Sequence, residues 1–155
     1  MSSEPQARTA PSPAPTLADI ERGAARYLFA IAVRSGSGTG RVTTGELHEH
    51  LGVAQPSVTG MVSKLDDRGL VDYEKYEGVT LTDRGEALAR QAGWRLCVVS
   101  TFFDSELDTT LDDGTAFDIG FALPERGVRR LRELVGSACL GRCPEANGDA
   151  ERCAA

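Results

Sequence analysis

Two sets of side chains in this sequence have the types and spacing to do chemistry. The first is four cysteines: Cys97, then Cys139, Cys143 and Cys153, the last three separated by three and nine residues. In a reducing compartment, clustered cysteines more often serve metal or redox chemistry than structural disulfides. Four thiolates suffice for an iron–sulfur cluster or a tetrahedral zinc ion. Cys143-Pro144 is a pair that often flanks cluster ligands, and Gly136, Gly141 and Gly148 would let the tail wrap around a centre. A thiol–disulfide switch needs only two of the four. The bland alternative is that Cys97 is a small buried hydrophobe and the others hold nothing. The three-residue gap is not the two-residue knuckle of recognisable zinc sites.

The second set is Gln55, Pro56, Ser57, Thr59, Gly60 and Lys64. If Val58, Val62 and Leu65 face a core, helical periodicity turns most of these residues the other way. Glutamine pairs with adenine through two hydrogen bonds, serine and threonine bond base edges or phosphates, and the threonine methyl meets that of thymine. Gly60 permits close approach. Lys64, Arg41 and Lys75 are candidates for phosphate contacts, which add affinity without sequence preference. A solvated helix face would carry similar residues, and the order of the surrounding elements separates the two readings.

Residues 16–35 read as a first helix, with Thr16 and Asp19 at capping-box spacing and Leu17, Ile20, Ala24, Leu28, Ile31 and Ala32 at helical intervals. The glycine-rich stretch 35–40 comes after a helix and lacks a Gly-Lys-Ser/Thr ending, so it is a connector rather than a phosphate loop. Thr43 and Glu46 form a second capping box and Gly52 closes that helix. A third helix spans 55–68 and ends at Gly69. Strand-type runs at 70–76 and 79–82 flank a Glu77-Gly78 turn. A long fourth helix begins at Asp83 and carries Leu88, Ala92, Leu96, Val99 and Phe103, and shorter helical pieces are expected at 105–111, 114–123 and 124–136.

The fold class is therefore mainly α with a small β-hairpin: a winged helix-turn-helix followed by a helical region. The expected layout is a disordered leader at 1–15, a winged-helix DNA-binding domain at 16–89, a helical dimerisation region at 90–136 and a Cys-rich tail at 137–155. In that order, the second helix supports the third, whose N-terminal residues enter the major groove.

Composition narrows the function. The 155 residues carry a net charge of −6, which argues against indiscriminate nucleic-acid binding but allows a small basic reading face. No apolar run approaches the ~20 residues of a membrane span, and residues 1–15 lack the apolar core of a signal peptide. The expectation is a cytoplasmic protein without membrane contact. No Ser-His-Asp set or phosphate loop points to an enzyme. His48 and His50, the two histidines, fall on the supporting helix and are expected to be surface side chains.

Residues 42–89, VTTGELHEHLGVAQPSVTGMVSKLDDRGLVDYEKYEGVTLTDRGEALA, resemble the DNA-binding domain of the DtxR/MntR family of metal-dependent regulators. The most specific pieces are Pro56-Ser57-Val58-Thr59, Met61-Val62, Lys64-Leu65, Gly69-Leu70-Val71, Tyr73-Glu74-Lys75-Tyr76 and Leu81-Thr82. The resemblance implies a homodimer that senses Fe(II) or Mn(II) and represses metal-uptake genes at palindromic double-stranded DNA operators. It also places the dimer interface after Ala89, where Trp94, Phe102, Phe103, Phe117 and Phe121 are either interface apolars or intrachain core. The family's metal site takes carboxylate or Met ligands from the first helix, a His from the long helix and Glu, His or Cys from the next. Here the matching positions hold Arg26, Phe29 and Leu96, and residues 115–123 offer only Asp118. Such side chains do not suit a divalent ion. The expectation is thus a regulator of metal or iron homeostasis genes that senses iron, an iron–sulfur cluster or redox state through Cys97, Cys139, Cys143 and Cys153. A winged-helix protein-interaction module, and a thiol–disulfide switch without metal, are the alternatives.

Overall fold

The computed structural model describes residues 15–36 and 40–135. The leader apart from Pro15, the centre of the glycine connector, and the tail with Cys139, Cys143 and Cys153 lie outside the described residues.

The first helix is shorter than its periodicity predicts. A 3-10 turn, Leu17–Asp19, comes first; the chain then becomes extended at Ile20 and Glu21, and helix α1 runs over Arg22–Ser35. The Asp19 carboxylate accepts from the Thr16 amide and hydroxyl at 3.1 and 2.9 Å, so this capping box closes one tight turn instead of opening α1. The break has a packing cause. It lets both Leu17 and Ile20 reach the core, while Gln91 accepts from the Leu17 amide and donates to the Pro15 carbonyl.

Helix α2, Thr44–Leu51, starts on the Thr43–Glu46 box and stops at Gly52, whose φ of 65° is left-handed. Helix α3, Gln55–Asp67, begins after Ala54 with Pro56 in its first turn, where a missing N–H costs nothing. Its inner face is Val58, Val62 and Leu65, all fully buried. Strands β1, Val71–Glu74, and β2, Gly78–Leu81, pair antiparallel with Val71 opposite Leu81.

The hairpin turn differs from expectation. It is Lys75-Tyr76-Glu77, closed by the Glu77 amide donating to the Glu74 carbonyl at 3.1 Å, with Tyr76 at φ 72°. Gly78 belongs to β2 and is glycine on two counts: its φ is 116°, and a Cβ there would lie 2.6 Å from the Val42 carbonyl oxygen. Val42 and Val79 exchange both backbone hydrogen bonds, at 2.9 and 2.8 Å, adding a one-residue third strand to the wing.

Helix α4, Asp83–Leu107, is capped by Thr82 and runs unbroken through Ala89, so one continuous helix joins the wing to the C-terminal helices. The separate helix expected at 105–111 does not exist. Residues 105–107 extend α4, Asp108 turns left-handed at φ 48°, and 108–112 are irregular. Asp112 then caps α5, Asp113–Ala122, and Pro124 precedes α6, Glu125–Val135. Helix α4 packs against α1, α5 and α6. One core joins Leu28 and Ile31 of α1, Leu47 of α2, the inner face of α3, Val79 of the wing, Leu88 and Leu96 of α4 and Phe117 of α5. The architecture is a winged helix followed by helices. No helix among the described residues is long and apolar enough to cross a membrane.

Candidate nucleic-acid interface and the junction behind it

The outer face of α3 is built by subtraction. With Val58, Val62 and Leu65 sealed in the core, Gln55, Pro56, Ser57, Thr59, Gly60 and Lys64 are left exposed. Gln55 is not loose: its Nε2 donates to Thr44 Oγ1 at 3.0 Å, which braces it against the supporting helix. The Thr59 hydroxyl donates to the Gln55 carbonyl at 3.2 Å. A Cβ at Gly60 would meet nothing within 4 Å, so the fold itself does not require a glycine there. The α3 N-terminus adds the partial positive charge of the helix dipole, with the Ser57 and Val58 amides donating to the Ala54 carbonyl.

The three basic candidates separate. Lys64 is exposed and makes no ion pair among the described residues. Lys75 sits at the wing tip with Nζ 5.2 Å from the ring centroid of Tyr76, itself 92% exposed. Arg41 is tied into the wing: it donates to the Gly78 carbonyl at 3.3 Å and lies 3.7 and 3.5 Å from the carboxylates of Asp72 and Glu74. Its charge is largely offset before any phosphate arrives. Sequence reasoning also passed over Thr44 and Tyr76. The signal for Thr44 was its place one residue after a cap, beside the next helix start.

Arg68 closes the far end of α3 by bonding the Glu21 carboxylate at 3.2 Å and the Asp19 carbonyl at 3.4 Å. His48 donates from Nδ1 to the Val53 carbonyl, and His50 is exposed.

Behind the reading head, α1, α4 and α5 converge on apolar side chains. Phe29 and Phe117 have ring centroids 5.8 Å apart, and Phe117 stacks on Phe121 at 6.3 Å and 10°. Phe117 and Phe121 are thus intrachain packing. Leu96 is buried in the core and Arg26 points outward. The carboxylate of Asp118 is bound by Arg22. The Arg95 guanidinium donates to the carbonyls of Gly120 and Leu123 at 3.1 and 2.6 Å, and its burial lowers its pKa. Cys97, also on α4, is buried and disulfide-bonded.

Residues 21–79 match the family described as iron dependent repressor, N-terminal DNA binding domain. The HTH-type transcriptional regulator MntR of Lysinibacillus sphaericus (strain C3-41) is 46% identical over 52 residues, which are 34% of this chain and 37% of that protein. Among solved structures, a manganese-dependent transcriptional repressor in complex with manganese superposes with a TM-score of 0.66 at 30% identity, over 73% of this chain and 52% of the other. ScaR with bound Zn2+ gives a TM-score of 0.61 at 25% identity, over 75% of this chain and 56% of its own. The chain therefore spans just over half the length of these structures and little more than a third of the curated relative.

The residues at the α1, α4 and α5 junction do not fit a metal ion of the kind those relatives hold. Phenylalanine and leucine carry no donor atom, Arg95 brings positive charge, and the one carboxylate is already paired. Among the described residues no group of three or more His, Cys, Asp or Glu is placed to hold a metal.

Proposed function

We propose that this chain, whose residues 21–79 match the DNA-binding domain of iron-dependent repressors, is a sequence-specific transcriptional repressor of the DtxR/MntR kind. It acts as a homodimer on a double-stranded DNA operator of metal or iron homeostasis genes. Residues 16–89 read the operator and 90–136 pair the subunits. The carrying observation is the outer face of α3. In a chain with 23 acidic residues, positions 55–64 contain none, and they present amide, hydroxyl and ammonium groups on a braced helix. Selection from a pool of randomised duplexes tests this reading. The expected product is an inverted repeat whose half-sites lie about one helical turn apart, with affinity that falls as salt rises. Failure to enrich any sequence, with no binding at low salt, would instead mark the winged helix as a protein-interaction module.

For the signal, we infer that the cysteines carry it. Two observations support this: among the described residues the junction offers a metal ion only the paired carboxylate of Asp118, and Cys97 is disulfide-bonded. Exchange with a dithiol reductant would open that bond to two thiols while the reductant becomes the disulfide, which makes a thiol–disulfide switch the form favoured here. In the reduced state Cys97, Cys139, Cys143 and Cys153 become available to an iron–sulfur cluster, iron or zinc. Absorbance and elemental analysis of anaerobically purified protein distinguish the two. A colourless, metal-free sample that binds its selected duplex fully leaves only the thiol switch.

A further inference from the structure

We propose that the junction of α1, α4 and α5 is a metal-free clasp, in which stacked aromatics and two arginines hold the reading head to the helices behind it. Three independent contacts close it. The first is apolar: Phe29 of α1 lies against Phe117 of α5, which stacks on Phe121. Leu17, Ala92, Arg95, Phe117 and Phe121 line one narrow crevice beside that stack. The second is ionic, Arg22 at the start of α1 to Asp118 on α5.

The third comes from the chain's own chemistry. In a helix the Gly120 carbonyl would accept from the amide of residue 124, but that residue is Pro124 and has no N–H. Arg95 of α4 supplies the missing donor, and also binds the Leu123 carbonyl that ends the helix. A cation at a helix C-terminus is further favoured by the helix dipole. Gly120 makes this reach possible, because a Cβ there would come within 3.1 Å of the Arg95 backbone. The helices thus meet at contact distance, bonded side chain to backbone, where a bridging ion would need donors that are absent.

Calorimetric titration of the full chain with Mn(II), beside amide hydrogen exchange of Arg95→Met, tests the clasp without DNA. The expected results are no Mn(II) binding that depends on Asp118, and exchange across residues 113–122 faster by roughly tenfold or more in Arg95→Met. Added Mn(II) should not reverse that acceleration. Binding of Mn(II) that survives Asp118→Asn lies off the junction and leaves the clasp standing. Micromolar binding abolished by Asp118→Asn overturns it, and so does unchanged exchange in Arg95→Met. If Arg95→Met does not fold, Arg95→Lys, which keeps the charge but reaches only one carbonyl, should exchange faster than the parent across residues 113–122, and exchange equal to the parent's overturns the clasp.

Discussion

Replacing Arg95 by methionine keeps most of the aliphatic stem and deletes only the guanidinium, so the cost can be worked from the contacts. Two hydrogen bonds from a charged donor are lost, at 3.1 and 2.6 Å. The Leu123 carbonyl can turn toward water. That of Gly120 cannot do so easily, because Gly120 is buried against the Arg95 backbone and Pro124 offers no amide in exchange. A charge-assisted bond contributes about 1.5–3 kcal/mol when fully buried. Arg95 keeps partial solvent access, so the combined loss is about 2 kcal/mol. For a chain of this size each kcal/mol lowers the melting temperature by roughly 3–4 °C, which predicts a fall of roughly 7 °C. Thermal unfolding followed by circular dichroism measures it. Arg95→Lys should fall between the two. A methionine variant melting within about 1 °C of the parent would refute the claim that Arg95 caps α5.

Other substitutions probe other parts of the molecule. Gly85→Ala should abolish or severely weaken folding, with loss of helical circular dichroism, since its Cβ would lie 1.9 Å from the Leu70 carbonyl oxygen. The Glu46 carboxylate is held below its ordinary range by bonds from the Thr43 amide and hydroxyl. A depressed folded pKa contributes stability above the ordinary carboxylate range and loses it as pH falls through the folded value, so Glu46→Gln should flatten the acid limb of a stability–pH curve. With the selected duplex, Lys64→Ala should weaken binding for all sequences and reduce the salt slope by about one, whereas Gln55→Ala should relax preference at particular bases. Arg41→Ala should instead lower thermal stability more than it changes that slope, because Arg41 is bonded within the wing.

The parts of this fold that could be read beforehand are those in which a local rule and a global need coincide. Thr43 with Glu46, Gly52 and Pro56 each signal a helix end by chemistry confined to a few residues, and the core agrees with them. Misreadings arose where a distant contact decides. Nothing local marks Val42 as a strand, because its pairing with Val79 is a single bridge across α2 and α3. Gly78 has the sequence signature of a turn glycine, yet it lies in β2, where its φ of 116° and the nearby Val42 carbonyl both demand glycine, while Tyr76 takes a positive φ in the turn itself. The helix expected at 105–111 lost to Asp108 and to the Asp112 cap, which accepts from the Thr115 amide at 2.9 Å. At the reading face, exposure followed from periodicity, but the engagement of Arg41 depended on two wing carboxylates meeting it across a fold.

Residues 15–22 bear on how the reading head is aimed. Arg68, just past α3, binds Glu21 and the Asp19 carbonyl; Gln91 of α4 binds Leu17 and Pro15; Arg22 binds Asp118 of α5. One short segment therefore touches the end of the recognition helix and both helices behind it. These contacts do not carry equal weight. The arginine pairs are exposed, so each contributes little and less as salt rises. Leu17 and Ile20, by contrast, are buried and anchor the segment through the core. The relation between reading helix and helical extension is thus set mainly by apolar packing, with the ion pairs trimming it. Any change that re-aims the head has to work against that core rather than against the salt bridges, and α4, which runs unbroken from the base of the wing to the C-terminal helices, spans both parts.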